Sequence, residues 1–236
     1  MAHGASAATL LLSFNADDLV PGREPPFQRN WGNEKDDIWR VDNLETYNGS
    51  GNAFLFDRQA EGDPGSWGAG FQIPSYKADW IVLQLAFKFE GPATAAKASM
   101  EVRNSSSNRL YYANLGSSKG KDPVTLINAD NTWKSEVVNH FDRKKWNRVT
   151  WYIPTALGET QKMLLQLETY DRETASWIQV GKGEGLEIEV TSLPKIFRIN
   201  FPSDSQPIQL YFDDLTVSSL SNQEMDILRQ SIEMVQ

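Results

Sequence analysis

The chain of 236 residues has no cysteine and only two histidines, His3 and His140. Without thiols there is no disulfide framework, no Cys-ligated zinc or iron–sulfur cluster and no thiol nucleophile, although the absence does not by itself fix the redox compartment. With His3 close to the N-terminus, one histidine is left as a credible functional imidazole, too few for a His-rich zinc centre and a weak basis for a Ser-His-Asp triad. Basic runs are equally scarce. The longest is Arg143-Lys144-Lys145, and 23 Lys+Arg against 31 Asp+Glu give a formal charge of −8. A surface of that sign repels phosphate backbones and acidic lipid, so neither nucleic acid nor membrane insertion is expected. The apolar run Ala7–Leu12 is too short to cross a bilayer. It lacks a basic flank and a clean small-residue cleavage site, and it reads as a strand and not as a signal peptide.

What is present is strand signal almost everywhere. In Ile81–Phe89 the residues Ile81, Leu83, Leu85, Phe87 and Phe89 share one face at period two, with Gln84 and Lys88 opposite. The same alternation recurs in Ser99–Arg103 (Met100 and Val102 inward), Arg109–Ala113 (Leu110 and Tyr112 inward), Arg148–Ile153, Lys162–Tyr170, Trp177–Val180, Leu186–Val190, Ile196–Phe201 and Ile208–Phe212. Turn clusters such as Gly49–Asn52 and Asp63–Gly65 punctuate the pattern. With 40% hydrophobic residues a sizeable core is available. The expected fold is all-β, an antiparallel two-sheet jelly-roll sandwich over residues 7–219. A short amphipathic α-helix is expected over 220–236, opened by the capping box Ser221-Asn222-Gln223-Glu224 and carrying Met225, Leu228, Ile232 and Val235 on one stripe. That helix either packs on the sandwich, leads to a neighbouring domain or dimerises.

Three segments carry a family resemblance. They are the opening strand with its acidic turn, Leu11–Asp18; the Trp-led strand Lys145–Ile153; and the closing strand Gln209–Val217, with its aromatic pair followed by Asp213-Asp214. Together, over roughly residues 9 to 218, they resemble the concanavalin A-like and laminin G-like jelly-roll superfamily, which includes bacterial polysaccharide-binding and polysaccharide-cleaving domains. Galactose-binding-like modules begin and end similarly and are not separated by strand pattern. The resemblance implies a secreted or cell-surface location, a bacterial source and a monomer.

Continuing the period of the closing strand would bury Asp214 beside the core, where an unpaired carboxylate is costly. A bulge must turn it out, or a cation or backbone donors must neutralise it. In the superfamily this position often joins an acidic residue of the first strand around a structural Ca²⁺, which takes oxygen ligands only. On that resemblance Asn15, Asp17, Asp18 and Asp214 are the metal candidates, against a simple turn of hydrogen-bonded carboxylates.

Eight tryptophans and seven tyrosines offer flat faces on which sugar rings stack, with polar side chains to meet the hydroxyls. The residues that period two places outward give the ligand candidates Arg103, Tyr111, Gln166, Glu168, Tyr170 and Trp177, on a face that would suit a polysaccharide or equally be an ordinary solvated sheet. Catalytic signatures fail: no Glu-x-Asp is followed by a third acid at glycoside-hydrolase spacing. Arg103, Tyr111, Lys162 and His140 are lyase residue types, but they do not match the Arg-x-Glu-x-Arg or Gln-x-His strand patterns of the alginate-lyase branch. The reading is a non-catalytic carbohydrate-binding module of a larger secreted protein, with a polysaccharide lyase or glycoside hydrolase, or a structural adhesion domain, as alternatives.

Overall fold

The computed structural model describes residues 8–23, 29–31, 39–47, 49, 51–58, 67–90, 97–116, 123–128, 135–201 and 208–233. In chain order the strands are β1 (Thr9–Phe14), β2 (Arg29–Trp31), β3 (Trp39–Asp42), β4 (Ala53–Arg58), β5 (Trp67–Gln72), β6 (Trp80–Glu90), β7 (Lys97–Arg103), β8 (Arg109–Gly116), β9 (Pro123–Asn128), β10 (Ser135–His140), β11 (Asn147–Pro154), β12 (Thr160–Asp171), β13 (Ser176–Glu189), β14 (Ile196–Phe201) and β15 (Ile208–Leu220), followed by helix α1 (Asn222–Glu233). They form two antiparallel sheets. The eight-stranded sheet runs β13-β12-β11-β6-β15-β4-β3, with β1 also paired to β15, and the seven-stranded sheet runs β10-β9-β8-β7-β14-β5-β2. This is the two-layer jelly roll that the period-two pattern implies.

The core lies between the layers. β6, β11 and β12 turn Leu83, Leu85, Phe87, Val149, Trp151, Met163, Leu165 and Leu167 inward, against Met100, Val102, Phe197 and Ile199 of the other sheet, all of them buried. Phe54 and Phe212 stack across neighbouring strands at 5.1 Å. Each such buried side chain contributes roughly 1.5–3 kcal/mol relative to exposure.

Strand β8 corrects one expectation. Tyr111, Ala113 and Leu115 face the core, and Tyr112 and Asn114 lie on the other side, half-buried. Tyr111 is 3% exposed, so its ring is not available to stack on a ligand, and burial pushes its phenol up to about 12. The five residues Arg109–Ala113 fit either phase; extending the window to the polar Asn114 selects the observed one.

Helix α1 packs on the outer face of the eight-stranded sheet. Its capping box forms, with Ser221 N donating to Glu224 Oε2 at 2.6 Å and Glu224 N to Ser221 Oγ at 3.3 Å. Met225 and Leu228 sit on Trp80, Tyr152, Leu164 and Leu220, and Trp80 Nε1 donates to Asn222 Oδ1 at 2.8 Å. Of the expected apolar stripe, Val235 lies outside the described residues. Among the described residues no helix is long and apolar enough to cross a membrane.

Candidate functional site

Three regions gather the residues singled out in the sequence. The first is the outer face of the seven-stranded sheet. On β7, Glu101 points away from the core yet is 1% exposed, because its neighbours close over it. Arg103 Nε and Nη2 donate to Glu101 Oε2 at 2.9 and 2.6 Å, while Arg109 Nη2 reaches Oε1 at 2.7 Å. Registration places Arg198 of β14 directly opposite Glu101 on one side and Tyr112 of β8 opposite on the other. The Arg109 guanidinium lies 4.9 Å from the centre of the Tyr112 ring. Arg103 is further fixed by Nη1 donating to Ser107 O at 2.7 Å. That carbonyl belongs to the β7–β8 hairpin, which is shaped by Asn104 Oδ1 accepting from Ser106 N and Asn108 N, both at 3.0 Å, and by a positive φ of 62° at Ser107. Two guanidiniums on one carboxylate, with Arg198 opposite in register, leave positive charge on this face of a chain whose formal charge is −8. Arg109 Nε is buried and without a hydrogen-bond partner among the described residues.

Around this cluster the face is polar. Ser99 pairs with Asn200 and Asn114 across β14 and β8, and Gly68 and Gly70 of β5 lie opposite Asn200 and Arg198. Gly68, Gly70 and Ser99 are buried there, and Asn114 and Asn200 are half-buried.

The second region is the outer face of the eight-stranded sheet, which holds Gln166, Glu168, Tyr170 and Trp177. Here the polar groups are spent on one another. Arg148 grips Glu168 with two bonds, Nε to Oε2 at 2.7 Å and Nη2 to Oε1 at 2.8 Å. Tyr152 donates to Gln166 Oε1 at 2.8 Å, and Gln84 Nε2 to Thr150 Oγ1 at 3.0 Å. Tyr170 and Trp177 face each other across β12 and β13 at 5.2 Å, and Tyr47 contacts both rings as well as Trp146. The six ligand candidates are therefore not one surface. Arg103 stands on one outer face, Tyr111 in the core, and the other four on the opposite outer face.

The third region is the acidic corner where β1 meets β15. A register shift between Asp213 and Thr216 bulges β15, and Asp214 adopts a positive φ of 49°. It is Asp213 that becomes buried, 5% exposed, and Asp214 that turns partly outward. Ala16 N donates to Asp213 Oδ1 at 3.2 Å, Asn15 Nδ2 to Asp214 Oδ1 at 3.1 Å, and the Tyr47 hydroxyl to Asp214 Oδ2. Asp17 Oδ1 accepts from Asn52 N at 2.9 Å. That contact requires Gly51, whose φ is +86° and whose place a Cβ could take only at 1.9 Å from Asp17 Oδ1. Asn52 Nδ2 caps the carbonyls of Ala16, Asp17 and Leu19. Asp18 is exposed to solvent. Burial, reinforced by the charges of Asp214 and Asp17 and only partly offset by backbone donors, pushes the Asp213 carboxyl up to about 7. The side chains can offer oxygen ligands, as a hard cation requires. Among the described residues, however, no three acidic or histidine side chains converge tightly enough to hold a metal ion, and Asn15 presents its amide nitrogen to Asp214.

The period that turns Met100 and Val102 inward puts Glu101 outward, but it does not mark Glu101 as the centre of a cluster. The available signal was Glu101-Val102-Arg103 itself, the last three positions of Arg-x-Glu-x-Arg with Ser99 where the first arginine would stand. Arg109 had no such signal, because only strand pairing brings it to Glu101.

No protein-family model matches the chain, and no curated protein matches it in sequence. Solved structures do. The alginate lyase of the PL-14 type from Aplysia kurodai superposes with a TM-score of 0.56 at 13% identity, covering 89% of this chain and 99% of that one. The alginate lyase Aly36B superposes with a TM-score of 0.51 at 8% identity, over 91% and 99% of the two chains. Domain 4 of AbnA, an extracellular arabinanase from Geobacillus stearothermophilus solved with arabinotriose, gives 0.51 at 12% identity over 91% and 94%. The likeness is one of fold, a jelly-roll sandwich of two antiparallel sheets.

Proposed function

We propose that this protein is a non-catalytic carbohydrate-binding sandwich that holds an acidic polysaccharide across the outer face of its seven-stranded sheet. The observation that carries the reading is the Glu101–Arg103–Arg109 cluster. A buried carboxylate braces two arginines, whose side chains stay 18% and 34% exposed, so a ligand meets guanidiniums already held in place without a large ordering cost on binding. A uronate carboxylate is the complement of such a fork. Asn114 and Asn200, both half-buried, offer partners for ring hydroxyls, and Tyr112 an apolar surface. The occurrence of the fold in two alginate lyases and in a domain solved with arabinotriose supports a carbohydrate ligand.

The lyase alternative needs a base beside that fork. His140 is exposed at the end of β10, the edge strand, three strand spacings from β7, or about 14 Å. Burial raises the Tyr112 phenol, against the lowering by Arg109, which disfavours its use as a base. Affinity electrophoresis decides between the readings. The protein should be retarded by alginate or polygalacturonate and not by a neutral glucan, with no growth of unsaturated-uronate absorbance. Arg103→Gln and Arg109→Gln should each weaken retardation about tenfold. Equal retardation by neutral and acidic gels sinks the acidic-ligand reading, and new ultraviolet absorbance sinks the non-catalytic one.

Calcium at the acidic corner belongs to the same reading. Asp17, Asp213 and Asp214 bring negative charge together, and the raised Asp213 reports an imbalance that a divalent ion would relieve. Binding would require Asn15 and Tyr47 to release Asp214. Calcium chloride should raise the melting temperature by several degrees and a chelator reverse it; an unchanged melting temperature leaves the corner as hydrogen bonds alone.

A further inference from the structure

Next to the closed Arg148–Glu168 ladder, one part of the eight-stranded sheet's outer face stays open. Two cavities of about 350 and 510 Å³ share Glu45, Tyr170 and Arg172 in their walls, a size that small polar ligands occupy. Three features make this a built site. The Tyr170 ring is held edge-on by Tyr47 and Trp177, each at 5.2 Å, so a flat face is fixed in place. Lys88, 7% exposed, anchors the base by donating to Glu45 at 2.6 Å and Glu90 at 2.7 Å. Trp146, 2% exposed, forms part of the wall of the smaller cavity, and its Nε1 has no hydrogen-bond partner among the described residues.

A buried indole N–H without an acceptor is a cost that a native structure rarely leaves unmet. The chemistry of the missing acceptor follows from the rest of the wall. The smaller cavity is lined by four cationic side chains and three acidic ones, close to balance, so it selects neither a phosphate nor an amine by charge. Alternating donors and acceptors beside a fixed aromatic face suit a neutral ring rich in hydroxyls.

We propose that the cavity beside Trp146 and Tyr170 is a second saccharide site, on the opposite sheet from the acidic-polysaccharide face, that takes a single neutral pyranose or pentose unit. The ring's C–H face lies on Tyr170, and a small rotation of Trp146, whose Nε1 is closed off in the free protein, lets a hydroxyl oxygen accept from it. The proposal stands on this cavity alone and does not need the other face to bind anything.

The test is titration of uniformly ¹⁵N-labelled protein with galactose, glucose, xylose and glucuronic acid, each to roughly 50 mM, the range in which single sugars with millimolar affinity saturate. The Trp146 indole N–H signal, assigned by its loss in Trp146→Phe, should shift saturably with at least one neutral sugar. Trp146→Phe should weaken that sugar about fivefold, the value of one hydrogen bond. Tyr170→Ala, a half-buried position that leaves Trp146 in place, should abolish the shift. Both variants should keep wild-type retardation on acidic polysaccharide, which separates failure here from failure of the other face. No shift with any neutral sugar, a shift that survives Tyr170→Ala, or a shift confined to glucuronic acid would each overturn the proposal.

Discussion

Glu101→Gln is expected to lower the free energy of unfolding by roughly 3 kcal/mol, the largest single loss of any substitution on the seven-stranded sheet's outer face. Glutamine keeps the shape and one acceptor but not the charge. Arg103 and Arg109, with side chains 18% and 34% exposed, would then press two cations together over a neutral amide. An exposed ion pair of the same composition would be worth only about 0–1 kcal/mol; what raises the figure is that Glu101 is enclosed and that its two oxygens are assigned to different arginines. Urea unfolding of wild type and variant measures the difference. A loss below about 1 kcal/mol would show the cluster to be solvated and would remove the pre-organisation argument for ligand binding. Acidic-polysaccharide retardation should weaken with the same substitution, because the two arginines lose the carboxylate that holds them in place for a ligand. Stability and binding thus fall together at one residue.

The second large effect concerns Asp213. Its carboxyl is raised to about 7 in the folded protein against about 3.9 in an unfolded chain. Between these values the folded state holds a proton that the unfolded state has lost, so stability falls as pH rises through that window. Below about pH 4 both states are protonated and the term vanishes; above 7 the full cost of the buried anion applies. A gap of about three pH units corresponds to roughly 4 kcal/mol as an upper figure. In chelator-containing buffer, urea midpoints should therefore drop between pH 5 and pH 8, and Asp213→Asn should remove most of that drop and stabilise the protein at pH 8. An amide oxygen can still accept from Ala16 N, so the variant retains the corner's hydrogen bond. A wild-type midpoint that does not change over this range, or an Asn variant less stable at pH 8, would contradict the assignment.

Inside-versus-outside was legible for β6, β11, β12 and β14, where large apolar residues recur at every second position and most of the polar ones fall between them. It failed on β8, because Leu110 and Tyr112 are as apolar as Tyr111 and Ala113; only the packing of Tyr111, Ala113 and Leu115 resolves the phase. A deeper limit is that a sandwich has two outsides. Period two assigns Arg103 and Gln166 equally to solvent and carries no information about which sheet each strand joins, so candidates from opposite surfaces were read as one. Asp213 and Asp214 show the same limit at atomic scale. The conflict between an acidic pair and an inward period pointed to a bulge, but the slip in register leaves Asp213 enclosed where the uninterrupted period had put Asp214. Contacts such as Tyr47 with Trp146 and Trp177 join segments about a hundred residues or more apart, and no local pattern encodes them.

Tyr47 has a role that neither region has by itself. Its hydroxyl is tied to Asp214 while its ring is wedged among Trp146, Tyr170 and Trp177, and burial together with Asp214 raises its phenol, keeping the proton in place. One rigid side chain thus works as a tie-rod between the seam of the first and last strands and an indole cluster on the far end of the sheet. Optical signals from Trp146 and Trp177 are consequently not local reporters: a disturbance at the seam reaches them through a single phenol.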